Sequence, residues 1–100
     1  MVKTIKPIHP GEILMEDFLK PLEISQYRLA MDIGVAPRRI NEIVHCTRAV
    51  SVDTALRLAK YFGTSAQLWL NLQNQYDIAV ESEQLSDILK NEVKVFRFAI

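Results

Sequence analysis

A single cysteine, Cys46, in a chain of 100 residues excludes an intramolecular disulfide and any multi-cysteine zinc site. It suits a reducing compartment, so a cytoplasmic location is expected. No run of about 18 or more apolar residues occurs, so no membrane-spanning helix is expected. Lys3 and Lys6 have no apolar stretch behind them, which argues against a secretory leader. Repeats, low-complexity tracts and linkers are missing, which leaves one domain over 1–100. Acid–base pairs, metal-ligand clusters and phosphate loops are missing too. No cofactor, no metal, no small-molecule substrate and no enzymatic turnover are therefore expected. His9 and His45 have no further ligand at metal spacing, and Cys46 beside His45 cannot close a four-ligand site alone. Cys46 as a nucleophile lacks a base and an oxyanion donor set, and reads as a small, partly buried residue.

Charge of either sign is also missing overall, since 12 basic residues balance 12 acidic ones. The distribution is less even. Between Ser25 and Lys60, six basic residues (Arg28, Arg38, Arg39, Arg48, Arg57, Lys60) outnumber three acidic ones (Asp32, Glu42, Asp53). Between Asp77 and Glu92, five carboxylates face Lys90 alone. The middle of the chain is thus suited to a polyanion and the C-terminal part repels one.

What is present is a series of short amphipathic blocks separated by turn residues. Pro7, Pro10 and Gly11 open the first, Ile13, Leu14, Phe18 and Leu19 recur along it, and Pro21 is expected to stop it. Ser25 is suited to cap a second helix with Leu29, Ala30 and Ile33 inward, and Gly34 to end it in a left-handed conformation. Pro37 suits the first turn of a third helix, about Pro37 to His45, with Ile40, Ile43 and Val44 on one face. Arg38, Asn41, Glu42 and His45 lie on the other. Ser51 and Gly63 bracket a fourth helix carrying Val52, Ala55, Leu56, Leu58, Ala59 and Phe62. Thr64 or Ser65 caps a fifth, carrying Leu68, Trp69, Leu72 and Tyr76. A break near Glu81–Ser82 and a short sixth helix with Leu85, Ile88 and Leu89 are expected. The apolar tail Val93–Ile100 alternates partly, as a strand does, and either packs on its own chain or on a partner.

The informative unit is Ser25 to Val44: two short helices, a tight turn through Gly34 and Val35, and small Ala30 where the helices must cross. This is a helix-turn-helix, whose second helix enters the major groove. The residue types match that task. Arg38 and Arg39 can pair with guanine, Asn41 with adenine, and Glu42 can accept from cytosine. Ser25 and Gln26 sit at a helix N-terminus able to hold a phosphate, and Arg48 can reach the flanking backbone. A plain ion pair between Arg38 and Glu42, four residues apart, is the competing use of those two side chains. Trp69 and Tyr76 are candidates for a dimer interface, Leu72 for the core.

The stretch SQYRLAMDIGVAPRRINEIV resembles the lambda-repressor/Cro-like helix-turn-helix family. Together with HPGEIL at 9–14, DTALRLAKYFGTS at 53–65 and WLNLQNQYD at 69–77, it is similar to the HigA-type antitoxins, over about Ile8 to Asp77. The resemblance implies an all-α, five-helix DNA-binding core (about 8–80), followed here by a C-terminal helical extension and apolar tail over 81–100. It implies a homodimer on a palindromic operator in double-stranded DNA, repression of the protein's own operon, and binding to a cognate mRNA-cleaving RNase-type toxin. Two positions depart from the pattern: Cys46 and Thr47 stand where such proteins carry Gly and Lys. A Cβ at a left-handed position costs strain, and a missing lysine removes a phosphate contact. Two alternatives remain: a stand-alone helix-turn-helix regulator without a toxin, and a helical protein-interaction module that has lost DNA binding.

Overall fold

Three serines and two glycines set most of the helix boundaries. In the computed structural model, which describes residues 6–98, the Oγ atoms of Ser25, Ser51 and Ser65 accept from the backbone N–H groups of Arg28, Thr54 and Leu68 at 3.0, 3.2 and 3.0 Å. Each thereby satisfies a donor that the first helical turn leaves orphaned. Gly34 and Gly63 both adopt φ near 73° and end the helices before them. The resulting chain has five helices among the described residues and no strand. Helix α1 is the unbroken succession Pro10–Ile13, Leu14–Leu19 and Lys20–Leu22; α2 is Gln26–Ile33, α3 Pro37–Val44, α4 Val52–Phe62 and α5 Ala66–Glu92.

Two boundaries differ from the sequence reading. Pro21 lies inside α1, which ends at Leu22 with Glu23 left-handed at φ 55°. The helix admits it by widening: Leu14–Leu19 is π-wound, directly ahead of the ring that lacks an N–H for an α-helical ladder. The break expected near Glu81–Ser82 is missing. Ala66–Glu92 contains no glycine or proline, so nothing interrupts its hydrogen-bond ladder, and the fifth and sixth helices are one of 27 residues. At 1.5 Å per residue it is about 40 Å long. The molecule is accordingly elongated, 57 Å in its longest dimension, with a radius of gyration of 17.4 Å against about 13 Å for a compact chain of this size. No described helix is long and apolar enough to cross a membrane.

The core is drawn from all five helices: Leu14 and Leu19, then Leu29, Ala30 and Ile33, then Ile40 and Ile43, then Ala55 and Leu58, and finally Trp69. Trp69 is the largest of these and is wholly buried, its indole N–H donating to the Thr64 hydroxyl at 2.9 Å. It cannot contact a second copy, which corrects its assignment to an interface. Tyr76 is half-buried, its ring edge-on to His9 at 4.8 Å. Leu72 packs against the core as expected. Val52 and Leu56 do not, since both project from α4 into solvent. Their side of α4 flanks the buried stripe of Ala55 and Leu58 instead of lying within it.

Two buried polar side chains fasten the loop after α3. Gln73 of α5 accepts from the Val50 N–H at 2.8 Å and donates to Asp77 at 2.9 Å. His9 caps α1, its Nδ1 accepting from the Gly11 N–H at 2.9 Å, which places the ring proton on Nε2. Glu12 completes a capping box by accepting from the His9 N–H. Burial depresses the His9 pKa, against the opposing pull of Asp77, Glu12 and the Arg48 backbone. Gly11 is needed for space: a Cβ there would overlap the Ile43 backbone carbonyl, so α1 and α3 touch backbone to backbone. Cys46 has φ 64°, the left-handed conformation anticipated for it.

Three outcomes follow. Gly11→Ala lowers the unfolding free energy by about 2 kcal/mol or more, because backbone must shift. Cys46→Gly raises it by about 1 kcal/mol through relief of the left-handed strain. Urea titrations followed by circular dichroism measure both. The His9 shift also makes stability pH-dependent. The folded protein binds a proton there less readily than the unfolded chain, so the contribution is full above the ordinary histidine value of about 6.5 and declines as pH falls through the depressed folded value. His9→Asn flattens that part of the stability profile.

Candidate nucleic-acid interface

The local sequence of α3 separates two surfaces. Ile40 and Ile43, three apart, are wholly buried, and Val44 packs beside them. The opposite side carries Arg38 and Asn41, both exposed, with Glu42 half-buried between the two surfaces. Gly34 makes the turn that brings α2 across α3, its N–H donating to the Met31 carbonyl at 3.3 Å and that of Val35 to the Ala30 carbonyl at 3.0 Å. Ala30 is fully buried at this crossing, where a larger side chain would hold the helices apart.

The structure brings most of the expected residues onto one face. The Asn41 amide donates to the Gln26 side-chain oxygen at 3.4 Å, joining the N-terminus of α2 to the outer surface of α3. Ser25, beside Gln26, is occupied as the α2 cap but exposed. Arg38 is 85% exposed, and its Nε lies 2.9 Å from Glu42, so the short-range ion pair does form. Arg48 reaches the other oxygen of the same carboxylate at 3.1 Å. The Arg38 hydrogen bond first, with Arg48 adding to it, holds the Glu42 carboxyl below its usual pKa. Glu42 is therefore engaged by its own chain and gathers two guanidinium groups at one edge of the outer face.

Arg39 is placed differently from expectation. Its side chain is 29% exposed and turns toward α4, bonding Asp53 at 2.9 Å and Thr54 at 3.4 Å. The physical reason is that Asp53, in the first turn of α4, lies within reach, and a partly buried guanidinium settles where a carboxylate is fixed. Arg39 thus ties α3 to the first turn of α4.

Sequence reasoning missed Arg57. It bonds Asp53 at 2.8 Å and donates to the carbonyls of Ile33 and Gly34 at 2.8 and 3.2 Å, closing the end of α2 and the turn. Arg57 and Arg39 together, the former first, lower the Asp53 pKa. The four-residue spacing of Asp53 and Arg57 was visible in sequence, but the link to a turn 23 residues away was not. Thr47, where a lysine was expected, instead caps α3 by donating to the Glu42 carbonyl at 3.1 Å. His9, His45 and Cys46 do line one cavity of about 380 Å³. No grouping of three or more His, Cys, Asp or Glu side chains able to hold a metal occurs among the described residues.

This geometry has close counterparts. A helix-turn-helix family profile matches residues 15–69, from within α1 to the start of α5. Virulence-associated protein I of Dichelobacter nodosus is 51% identical over 81 residues, 81% of this chain and 75% of that one. The structure of Pseudomonas aeruginosa antitoxin HigA with the higBA promoter superposes with a TM-score of 0.88 at 41% identity, over 91% of this chain and 99% of that one. Antitoxin GraA in complex with its operator gives a TM-score of 0.88 at 37% identity, over 98% and 99%. The chain belongs to the helix-turn-helix family, in its HigA-type branch.

Proposed function

We propose that the chain is a sequence-specific DNA-binding autorepressor and the antitoxin of a type II toxin–antitoxin pair, acting in the cytoplasm by stoichiometric binding rather than turnover. The observation that carries this reading is the outer face of α3, where Arg38 and Asn41 stand clear of the core beside the N-terminus of α2. A helix so presented fits a groove about 12 Å wide. Ser25 and Gln26 with Arg48 hold phosphates on either side, setting register, while Arg38 and Asn41 read base edges. Arg39 acts through the orientation of α3. Two copies on a palindromic operator place their α3 helices in successive major grooves, about 34–36 Å apart. The relatives captured with promoter or operator DNA support the DNA half of the reading. The partner of the other half is a cognate mRNA-cleaving toxin.

A second reading has an observation in its favour. Arg38 and Arg48 share Glu42, Arg39 and Arg57 share Asp53, and the chain has no net charge. A protein-interaction module that has lost DNA binding would look the same electrostatically. The two readings part on duplex binding, which fluorescence anisotropy measures at two salt concentrations.

Arg38→Ala weakens operator binding by about 1–3 kcal/mol and reduces the salt slope by about one. Glu42→Gln works the other way on an unrelated duplex. It frees two guanidinium groups, so affinity rises and salt dependence steepens. Unchanged affinity in both variants selects the interaction module. For the toxin half, co-expression with the neighbouring reading frame gives a co-purifying complex and restores growth. A chain that neither binds that product nor rescues growth is a stand-alone regulator.

A further inference from the structure

His9 joins the start of α1 to the loop that carries Arg48. The residue is buried, with 3% of its surface exposed, and both ring nitrogens are in use. Nδ1 accepts from the Gly11 N–H at 2.9 Å. The remaining ring N–H is directed at the Arg48 backbone, and no buried side-chain nitrogen or oxygen among the described residues lacks a partner. Only a neutral imidazole, with one nitrogen bare, can make both contacts. A proton added to Nδ1 faces the Gly11 N–H donor to donor. Gly11 cannot retreat, because it lies backbone to backbone against Ile43 of α3. The ring is the part free to move, and a cavity of about 380 Å³ adjoins it.

The groups around the ring pull in both directions. Glu12 of α1 and Asp77 of α5 favour a charged imidazole. Each carboxylate is already engaged, Glu12 by the His9 N–H at 3.3 Å and Asp77 by Gln73 at 2.9 Å. Lys6 and His45 line the same cavity and oppose a second cation there, Lys6 by its charge and His45 once protonated. Cys46 and Tyr76, which also line it, are uncharged, burial pushing the Cys46 thiol up. For His9 burial outweighs the carboxylates, and its pKa is lowered. We infer that His9 is a proton-operated latch on the loop after α3: neutral, it holds Arg48 where a phosphate can be met, and protonated, it leaves its seat, frees the loop and weakens operator binding. The latch rests on the DNA reading above and gives that reading a sign. Histidines beside a polyanion ordinarily strengthen binding as they charge. Exposed His45 acts in that sense, whereas His9 acts against it. They are the chain's two histidines, and no other side chain with an ordinary pKa titrates between about pH 5 and 8.

Two measurements on the full chain test it, each at about pH 7.5 and about pH 5.5. Hydrogen exchange read by mass spectrometry, corrected for the intrinsic rate, shows protection over residues 45–51, between α3 and α4, falling about tenfold in acid while the helical dichroism signal is retained. Fluorescence anisotropy with a duplex taken from upstream of the chain's own reading frame shows affinity falling about tenfold, and the salt slope falling by about one as a phosphate contact is lost. His9→Asn gives the Gly11 N–H an acceptor that does not titrate, and it abolishes the acid loss in both measurements. Arg48→Ala has a salt slope that no longer changes with pH, whereas a histidine that merely supports the fold leaves that change in place. His45→Asn keeps the acid loss. Loop protection equal at the two pH values overturns the inference, whether or not DNA binds. So does an acid loss that persists in His9→Asn, or a helical signal that disappears along with binding. A chain that binds no duplex at either pH removes the DNA reading, and loop exchange that still follows the His9 proton then leaves the latch standing without its operator.

Discussion

What α3 presents to solvent depends on how closely its other side is held. Ile40 and Ile43 are wholly buried, and the Ile43 backbone lies against Gly11 with no room for even a methyl group between α1 and α3. A helix of eight residues has little stability of its own. Its position comes from this contact, from the Ala30 crossing with α2, and from Arg39 bonded across to Asp53 on α4. An outer face fixed in this way needs no rearrangement to meet a rigid duplex, so little ordering entropy stands against binding.

The electrostatics of that face reconcile a chain of zero net charge with a polyanionic partner. Glu42 holds Arg38 and Arg48 side by side, in pairs that are open to solvent. Such surface pairs contribute little to stability, so releasing the two guanidinium groups from the carboxylate costs little. Charge-assisted bonds to phosphate, with release of condensed counterions, exceed that. Asp53 has a separate task. Its two arginines brace α3 and the turn after α2, and Arg57 is spent on backbone carbonyls. The same residue types are thus gathered on the outer face by one carboxylate and brace the helices on the other.

The loop following α3 is held from two directions, by Gln73 of α5 and by the region around His9, whose ring packs against Tyr76. Arg48 emerges from this anchored loop, which fixes where its guanidinium can reach. The same long helix then leaves the core and carries the acidic arm away from the basic middle of the chain. One helix thus ties down the loop after α3 near its start and exposes apolar side chains such as Ile78 and Leu89 toward its end.

The residues alone determined the helix boundaries that rest on local chemistry: the serine caps, the glycine stops, the outward face of α3 and the left-handed strain at Cys46. Each depends on one to four neighbouring residues, so it is written in consecutive positions. They also carried the four motifs from which the family was read. Tertiary structure decided the rest. Arg39 found Asp53 on the next helix, and Arg57 found the Ile33 and Gly34 carbonyls, only because α4 packs beside the turn; the local spacing of Asp53 and Arg57 shows neither link. Trp69 reads as an interface residue by composition and is a core residue by position, because burial is settled by which helices converge on a side chain. The continuity of α5 has the converse reason: polar residues at 81–84 look like a loop, but without a glycine or proline to interrupt it the backbone ladder simply continues.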